Sequence, residues 1–118
     1  MTPSELSRRL AAVAPVAREA AELAARMRAN GMAETAMKGA QDFLTEADGA
    51  AERLIRARLE QLFPGEPILG EEGGGAPERD GPLWILDPID GTSNFARGGD
   101  RWCVSIGMAF DGRAALGA

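Results

Sequence analysis

The two acids of Asp87-Pro88-Ile89-Asp90-Gly91-Thr92 stand directly after the apolar run Leu83-Trp84-Ile85-Leu86. Carboxylates delivered together at the end of a buried strand suit a hard cation, which takes oxygen ligands. Pro88 restricts the chain as it leaves the sheet, and Gly91 permits a tight backbone and close approach by a ligand. A turn or helix opening at Gly91-Thr92-Ser93 aims free backbone amides at the same spot, and free amides hold phosphate oxygens. Carboxylates and a phosphate share one pocket comfortably only with a cation between them. Magnesium, which keeps part of its water shell, suits that arrangement. The competing reading is an Asx-type turn with a capping aspartate. One Asp-Gly pair would need nothing more, but the full hexapeptide after a buried strand exceeds it.

Two more acidic sites belong beside it. Glu71-Glu72-Gly73 follows the short strand candidate Pro67-Ile68-Leu69-Gly70. Adjacent acids at a strand end are ordinarily solvated. Here one of them can face the cation while its neighbour braces the site. Thr45-Glu46-Ala47-Asp48 reads first as a capping box opening a helix. An acid in a first helical turn can also bind a metal or its water, so Asp48 stays a candidate.

Other chemistries are closed to this chain. It has one cysteine and no histidine. That excludes a Ser-His triad, a Cys-His nucleophile, a zinc site built on His and Cys, and an internal disulfide. Cys103, between Trp102 and Val104, is expected as a buried small hydrophobe.

The elements that must position these residues are legible in outline. Thr2-Pro3-Ser4-Glu5 has the form of a helix start with a capping box. Leu6, Leu10, Val13, Ala17, Ala20, Leu23 and Met27 recur at steps of three and four, one stripe of an amphipathic helix. Pro15 is expected to kink it and Asn30-Gly31 to end it. Residues 32–44, with Lys38-Gly39, read as a loop or short extended piece. A second helix is expected from about Thr45, with Ala51, Leu54, Ile55, Leu59 and Leu62 as its stripe and Pro64-Gly65 as its stop. Residues 73–82 read as a polar loop. A longer strand spans 102–110, Asp111-Gly112 signals a hairpin, and Arg113–Ala118 begins the return strand. Helices followed by strands give an α+β fold, two N-terminal helices on one face of a largely antiparallel sheet. The return strand stops without a turn or polar tail, which reads as an interrupted edge.

The chain has 118 residues, enough for one domain with a modest core. Its formal charge is -5 and its 13 basic residues are scattered, so no nucleic-acid partner is expected. No apolar run reaches the length of a membrane span. The helical pattern continues through Arg18 and Glu19 instead of ending as a signal would. No membrane partner is expected, and the location expected is cytoplasmic.

Asp42 to Asp48, Gly70-Glu71-Glu72, Trp84 to Phe95 and Val104-Ser105-Ile106-Gly107 together resemble the inositol monophosphatase family, the lithium-sensitive, magnesium-dependent phosphomonoesterases. The resemblance runs from about Lys38 to the end, with a compatible helix before it. It implies the N-terminal portion of an α/β/α/β/α sandwich. It implies metal ligation by Glu71, Asp87, Asp90 and the backbone carbonyl of Ile89. Gly91 and Thr92 are implied as phosphate contacts through their amides, and Asp90 also as a contact for a substrate hydroxyl. Asp48 and Thr92 are implied as the catalytic pair that orients and activates the attacking water. Glu72 would stand behind the ligands, and Lys38 on a loop near the site. Mg2+ is the implied cofactor. The implied reaction is hydrolysis of a small phosphate monoester, inositol monophosphate or a related polyol or sugar phosphate. The alternatives are a 3′(2′),5′-bisphosphate nucleotidase, a histidinol-phosphatase, a fructose-1,6-bisphosphatase, or a non-catalytic metal-binding or oligomerising domain. A homodimer is expected of the full-length form.

The family carries a further metal-binding aspartate in a Trp-Asp motif, and neither Trp84 nor Trp102 precedes an aspartate here. Residues 1–118 are therefore expected to be a single N-terminal domain, cut off before its C-terminal domain. Alone, this domain is expected to bind magnesium weakly and turn over poorly.

Overall fold

The computed structural model describes residues 1–38, 40–70 and 80–118; over 31–38 and 40–45 it describes the backbone alone. Two long helices, α1 (Pro3–Lys38) and α2 (Ala40–Leu62), precede β1 (Ile68–Leu69) and β2 (Pro82–Asp90). A short helix α3 (Thr92–Ala96) follows, then β3 (Cys103–Phe110) and β4 (Arg113–Gly117). The sheet order is β1-β2-β3-β4. β1 runs parallel to β2, and the other two pairings are antiparallel. The α+β expectation holds, as a mixed sheet with two of its three pairings antiparallel.

α1 starts where the capping signal puts it, with the Glu5 amide donating to Thr2 Oγ1 at 3.1 Å. It does not stop at Asn30-Gly31. One glycine inside a helix costs about 0.5–1 kcal/mol, and the run Met32 to Lys38 is rich in strong helix formers that outweigh it. α1 also continues through Pro15, which is exposed. α2 likewise begins at Ala40, ahead of Thr45. Thr45-Glu46-Ala47-Asp48 thus lies inside a helix, and the capping-box reading of Asp48 falls.

The main core joins three elements. α1 contributes Val13, Val16 and Ala20, α2 contributes Ala51, Ile55 and Leu59, and the sheet contributes Trp84, Leu86, Val104, Ile106 and Met108. Each fully buried large apolar side chain stabilises by about 1.5–3 kcal/mol. The α1 stripe is displaced from the expected one. Leu10 is 39% exposed, while Val16 and Ala24 are buried. On β2 the pleat sends Trp84 and Leu86 to the helices, and Ile85 points the other way, 43% exposed. A concavity of about 410 Å³ runs along that other face, past Leu83, Ile85, Asp87, Ser105 and Gly107.

The far end of α1 is tied to the sheet by charge. Arg9 Nη1 and Nη2 donate to the two Glu66 oxygens at 2.7 and 2.8 Å, and Trp84 Nε1 donates to Glu66 Oε1 at 2.9 Å. Arg9 also lies 4.5 Å from the centroid of Phe63, which stacks on Trp84. The β3–β4 hairpin turns at Asp111 and Gly112, with φ of 51° and 80°. That is the pair of positive φ values the Asp-Gly signal predicts. Among the described residues no helix is long and apolar enough to cross a membrane.

Candidate metal centre

A straight strand sends residues i and i+3 to opposite faces, because side chains alternate. Asp87 and Asp90 are three apart, yet they share a face. Asp87 pairs with Ser105, and Asp90 pairs with Cys103, with a register shift between them. Two residues of β2, Pro88 and Ile89, therefore stand opposite the single residue Val104. This is a β-bulge, and its extra residue restores the parity. Cross-strand partners share a face, and Cys103 and Ser105 are two apart on β3. Both carboxylates thus lie on the face turned away from α1 and α2. Pro88 suits the bulge because it has no amide to offer the ladder.

The extra residue also redirects Ile89. Its side chain is 1% exposed and joins a second core cluster with Ala24 of α1, Ala47 of α2 and Phe95 of α3. Its backbone N–H faces the Asp87 carboxylate and favours the charged form. Among the described residues, Asp87 Oδ1 is buried with no hydrogen-bond partner.

That orphaned oxygen is the test of fit for a cation. Burial pushes the Asp87 carboxyl above its usual range, the neighbouring Asp90 charge adds to the push, and the Ile89 amide opposes it. A half-buried carboxylate with one oxygen shut away from water, raised further by a second carboxylate, is stabilised by a divalent ion placed between the two. The donor set is all oxygen, as magnesium requires. Among the described residues no three His, Cys, Asp or Glu side chains converge on one point. Glu71 and Glu72 lie outside the described residues, as does the side chain of Lys38, whose backbone closes α1.

Gly91 makes the corner. It takes φ 89° and ψ 44° and stands as the N-cap of α3. A Cβ there would lie 2.7 Å from the carbonyl oxygen of Arg101 and 3.3 Å from Trp102 Cα, so only glycine fits. Thr92 is the first residue of α3, half-buried. The Phe95 amide closes the turn onto the Gly91 carbonyl at 3.0 Å. Asp48 is half-buried on α2, one residue beyond Ala47, which packs against Ile89 and Phe95. The structure thus gathers Asp87, Ile89, Asp90, Gly91 and Thr92 on one corner and brings the Asp48 segment against its inner side.

Cys103 departs from its expectation. It is exposed, at the first position of β3. Two features escaped the sequence reading. The bulge was signalled by a proline inside a strand and by the wrong parity of the acids. Arg28 of α1, whose guanidinium reaches the Phe95 and Gly99 carbonyls, gave no signal among the other scattered basic residues.

The sequence profile of the inositol monophosphatase family matches residues 5–118. The chain is 51% identical over 82 residues to the inositol-1-monophosphatase of Mycobacterium bovis, covering 65% of this chain and 28% of that protein. It is 46% identical over 79 residues to a protein of Pseudomonas aeruginosa named Nus factor SuhB, covering 64% of this chain and 29% of that one. The structure of Mycobacterium tuberculosis SuhB superposes with a TM-score of 0.77 at 40% identity, over 94% of this chain and 39% of that one. The chain thus spans about a third of the length of the relatives it matches. The profile match over nearly all its residues places the chain in the inositol monophosphatase family.

Proposed function

We propose that this chain supplies the cation-binding and phosphate-binding corner of a magnesium-dependent phosphomonoesterase. The observation that carries the reading is the bulge, which sets Asp87 and Asp90 on one face, with Asp87 Oδ1 buried and without a partner among the described residues. Asp87, Asp90 and the Ile89 carbonyl would hold the ion, with Glu71, which follows Gly70 in the chain, as a further ligand. When bound, magnesium neutralises the phosphate and lowers the pKa of water.

The chain's own groups do the rest. Gly91 and Thr92 direct their amides to the phosphate oxygens. Thr92 and Asp48 orient the attacking water and take up its proton, the water oxygen attacks phosphorus in line, and the ester P–O bond breaks as a proton passes to the departing alcohol oxygen. Glu72 supports the ligands from behind, and Lys38 approaches the site. The substrate is a small phosphate monoester. Inositol 1-phosphate is the first choice, because the mycobacterial relative is named for it. Lithium sensitivity, a cytoplasmic location and a homodimer in the full-length protein belong to the same reading.

The test compares parent and Asp90→Asn for magnesium-dependent phosphate release from inositol 1-phosphate, with melting curves with and without magnesium. Asp90→Asn should keep its circular dichroism and lose turnover by roughly 100-fold or more, the scale on which one preorganised charge counts in a transition state. An ion held by the parent at 100 times its Kd adds about 2.7 kcal/mol of stability, and the variant should lose that gain. Undiminished turnover and an undiminished magnesium response in Asp90→Asn would refute the assignment. A magnesium response without phosphate release from any of these ester classes would leave a binding domain in place of an enzyme.

A further inference from the structure

The segment from Gly91 to Trp102 closes on itself. Gly91 at its start packs against Arg101 and Trp102 at its end. Within it, the Gly98 amide donates to the Phe95 carbonyl at 3.1 Å and the Gly99 amide to the Asn94 carbonyl at 2.8 Å. Phe95 meets Trp102 edge to face, with centroids 4.9 Å apart. Such a compact loop still needs a fixed attachment to the body of the fold.

Arg28, about seven turns along α1, provides one. Its Nη1 donates to the Gly99 carbonyl at 2.7 Å and to the Phe95 carbonyl at 3.3 Å. Its guanidinium lies 5.0 Å from the centroid of Phe95 and 5.5 Å from that of Trp102. One side chain thus holds two carbonyls at the close of α3 and both rings of the loop. Charged donors make the stronger hydrogen bonds, and a cation favours the carbonyl end of a helix. The anchored residues are the ones whose placement sets Gly91 and Thr92. Phe95 is hydrogen-bonded back to Gly91, and Trp102 sits against it.

We infer that Arg28 is a positioning residue for the acidic corner: it fixes the 91–102 loop to α1 and so aligns Gly91 and Thr92 for the phosphate without touching the ligand. The consequence for phosphate rests on the function proposed above, whereas the anchoring stands on the geometry alone.

The experiment uses Arg28→Met and Arg28→Lys in the purified protein. Amide hydrogen exchange is followed residue by residue, and inorganic phosphate is titrated in the presence of magnesium. Arg28→Met should speed exchange at Phe95, Gly98 and Gly99 by about tenfold or more, with Ile55 and Leu59 of α2 unchanged. It should weaken phosphate by about tenfold, the size of one charge-assisted hydrogen bond. Arg28→Lys keeps a donor but lacks the plane that covers two rings. It should recover part of both effects, and it supplies the comparison should the methionine variant not fold. Exchange that rises equally throughout the chain, or not at all in the loop, overturns the inference. So does a loop that loosens while phosphate binds as tightly as before. If the parent binds neither magnesium nor phosphate, the proposed function fails, and local against uniform exchange still decides whether Arg28 anchors the loop.

Discussion

Gly91→Ala separates two costs that the structure makes distinct. The first is conformational. Gly91 has φ 89°, and a left-handed backbone costs an L-residue with a Cβ about 1–2 kcal/mol. The second is steric. The new Cβ would stand 2.7 Å from the Arg101 carbonyl oxygen, a backbone atom that cannot swing aside as a side-chain tip would. Overpacking of this kind costs about 1–3 kcal/mol. The expected loss is therefore about 2–5 kcal/mol. Gly112 supplies the control. Its φ is 80°, and a Cβ there meets nothing within 4 Å. Gly112→Ala should lose only the conformational part, about 1–2 kcal/mol. Urea unfolding of both variants, extrapolated linearly to water, measures the difference directly. A Gly91→Ala loss within about 0.5 kcal/mol of the Gly112→Ala loss would refute the close approach of Gly91 to Arg101.

Two further expectations concern the body of the fold. Glu66 is pushed up by burial but pulled further down by the Arg9 and Trp84 hydrogen bonds and the Arg9 charge, leaving it below its ordinary range. Glu66→Gln should cost about 2–4 kcal/mol near neutral pH. Because the folded pKa is depressed, that advantage is complete above the unfolded value of about 4.3 and fades as pH falls through the folded one. Urea unfolding at pH 7 and pH 3 should show the gap between parent and variant narrowing. The two faces of the sheet should also respond unequally. Ile106→Ala, in the core, should cost about 2–5 kcal/mol, whereas Ile85→Thr on the open face should cost less than about 1 kcal/mol, read by the same unfolding curves.

The helices, the hairpin and the acidic corner were legible because each has a local cause. Thr2 caps, Asp111-Gly112 accepts positive φ, and the apolar run 83–86 pleats into the sheet. What was not legible depends on sums or on partners. Whether α1 ends at Gly31 turns on a penalty of one residue against the propensity of seven, which local punctuation misjudges. Leu10 and Val16 exchange places between surface and core because the face that α1 buries is set by α2 and the sheet. The role of Arg28 depends on a loop almost seventy residues away in the sequence. The acids at 87 and 90 were found by type, but their spacing was read without its parity, and parity is where the bulge shows itself.

Parity also yields the sharpest test of the site. In a straight β2, residue 89 would share the face of Asp87, and residue 90 would point at the helices. With the bulge the assignment is reversed: Ile89 is buried against Ala24, Ala47 and Phe95, and Asp90 is exposed. Exchanging the two side chains, Ile89→Asp with Asp90→Ile, leaves composition and charge untouched and discriminates between the two geometries. A straight strand would accept the exchange and keep both acids on one face. The bulged strand would lose the burial of an isoleucine, about 2–5 kcal/mol on the scale of core truncations, and would place a carboxylate in an apolar cluster without a partner, which costs several kcal/mol more or forces its protonation. The exchanged protein should therefore be unfolded or severely destabilised by circular dichroism and urea unfolding, with no magnesium-dependent rise in melting temperature. Asp90→Asn alone should leave the fold intact, so loss of structure in the exchange traces to the burial of residue 89. A folded exchange variant, within about 1 kcal/mol of the parent and still stabilised by magnesium, would show that the acids are aligned by some device other than the extra residue in β2.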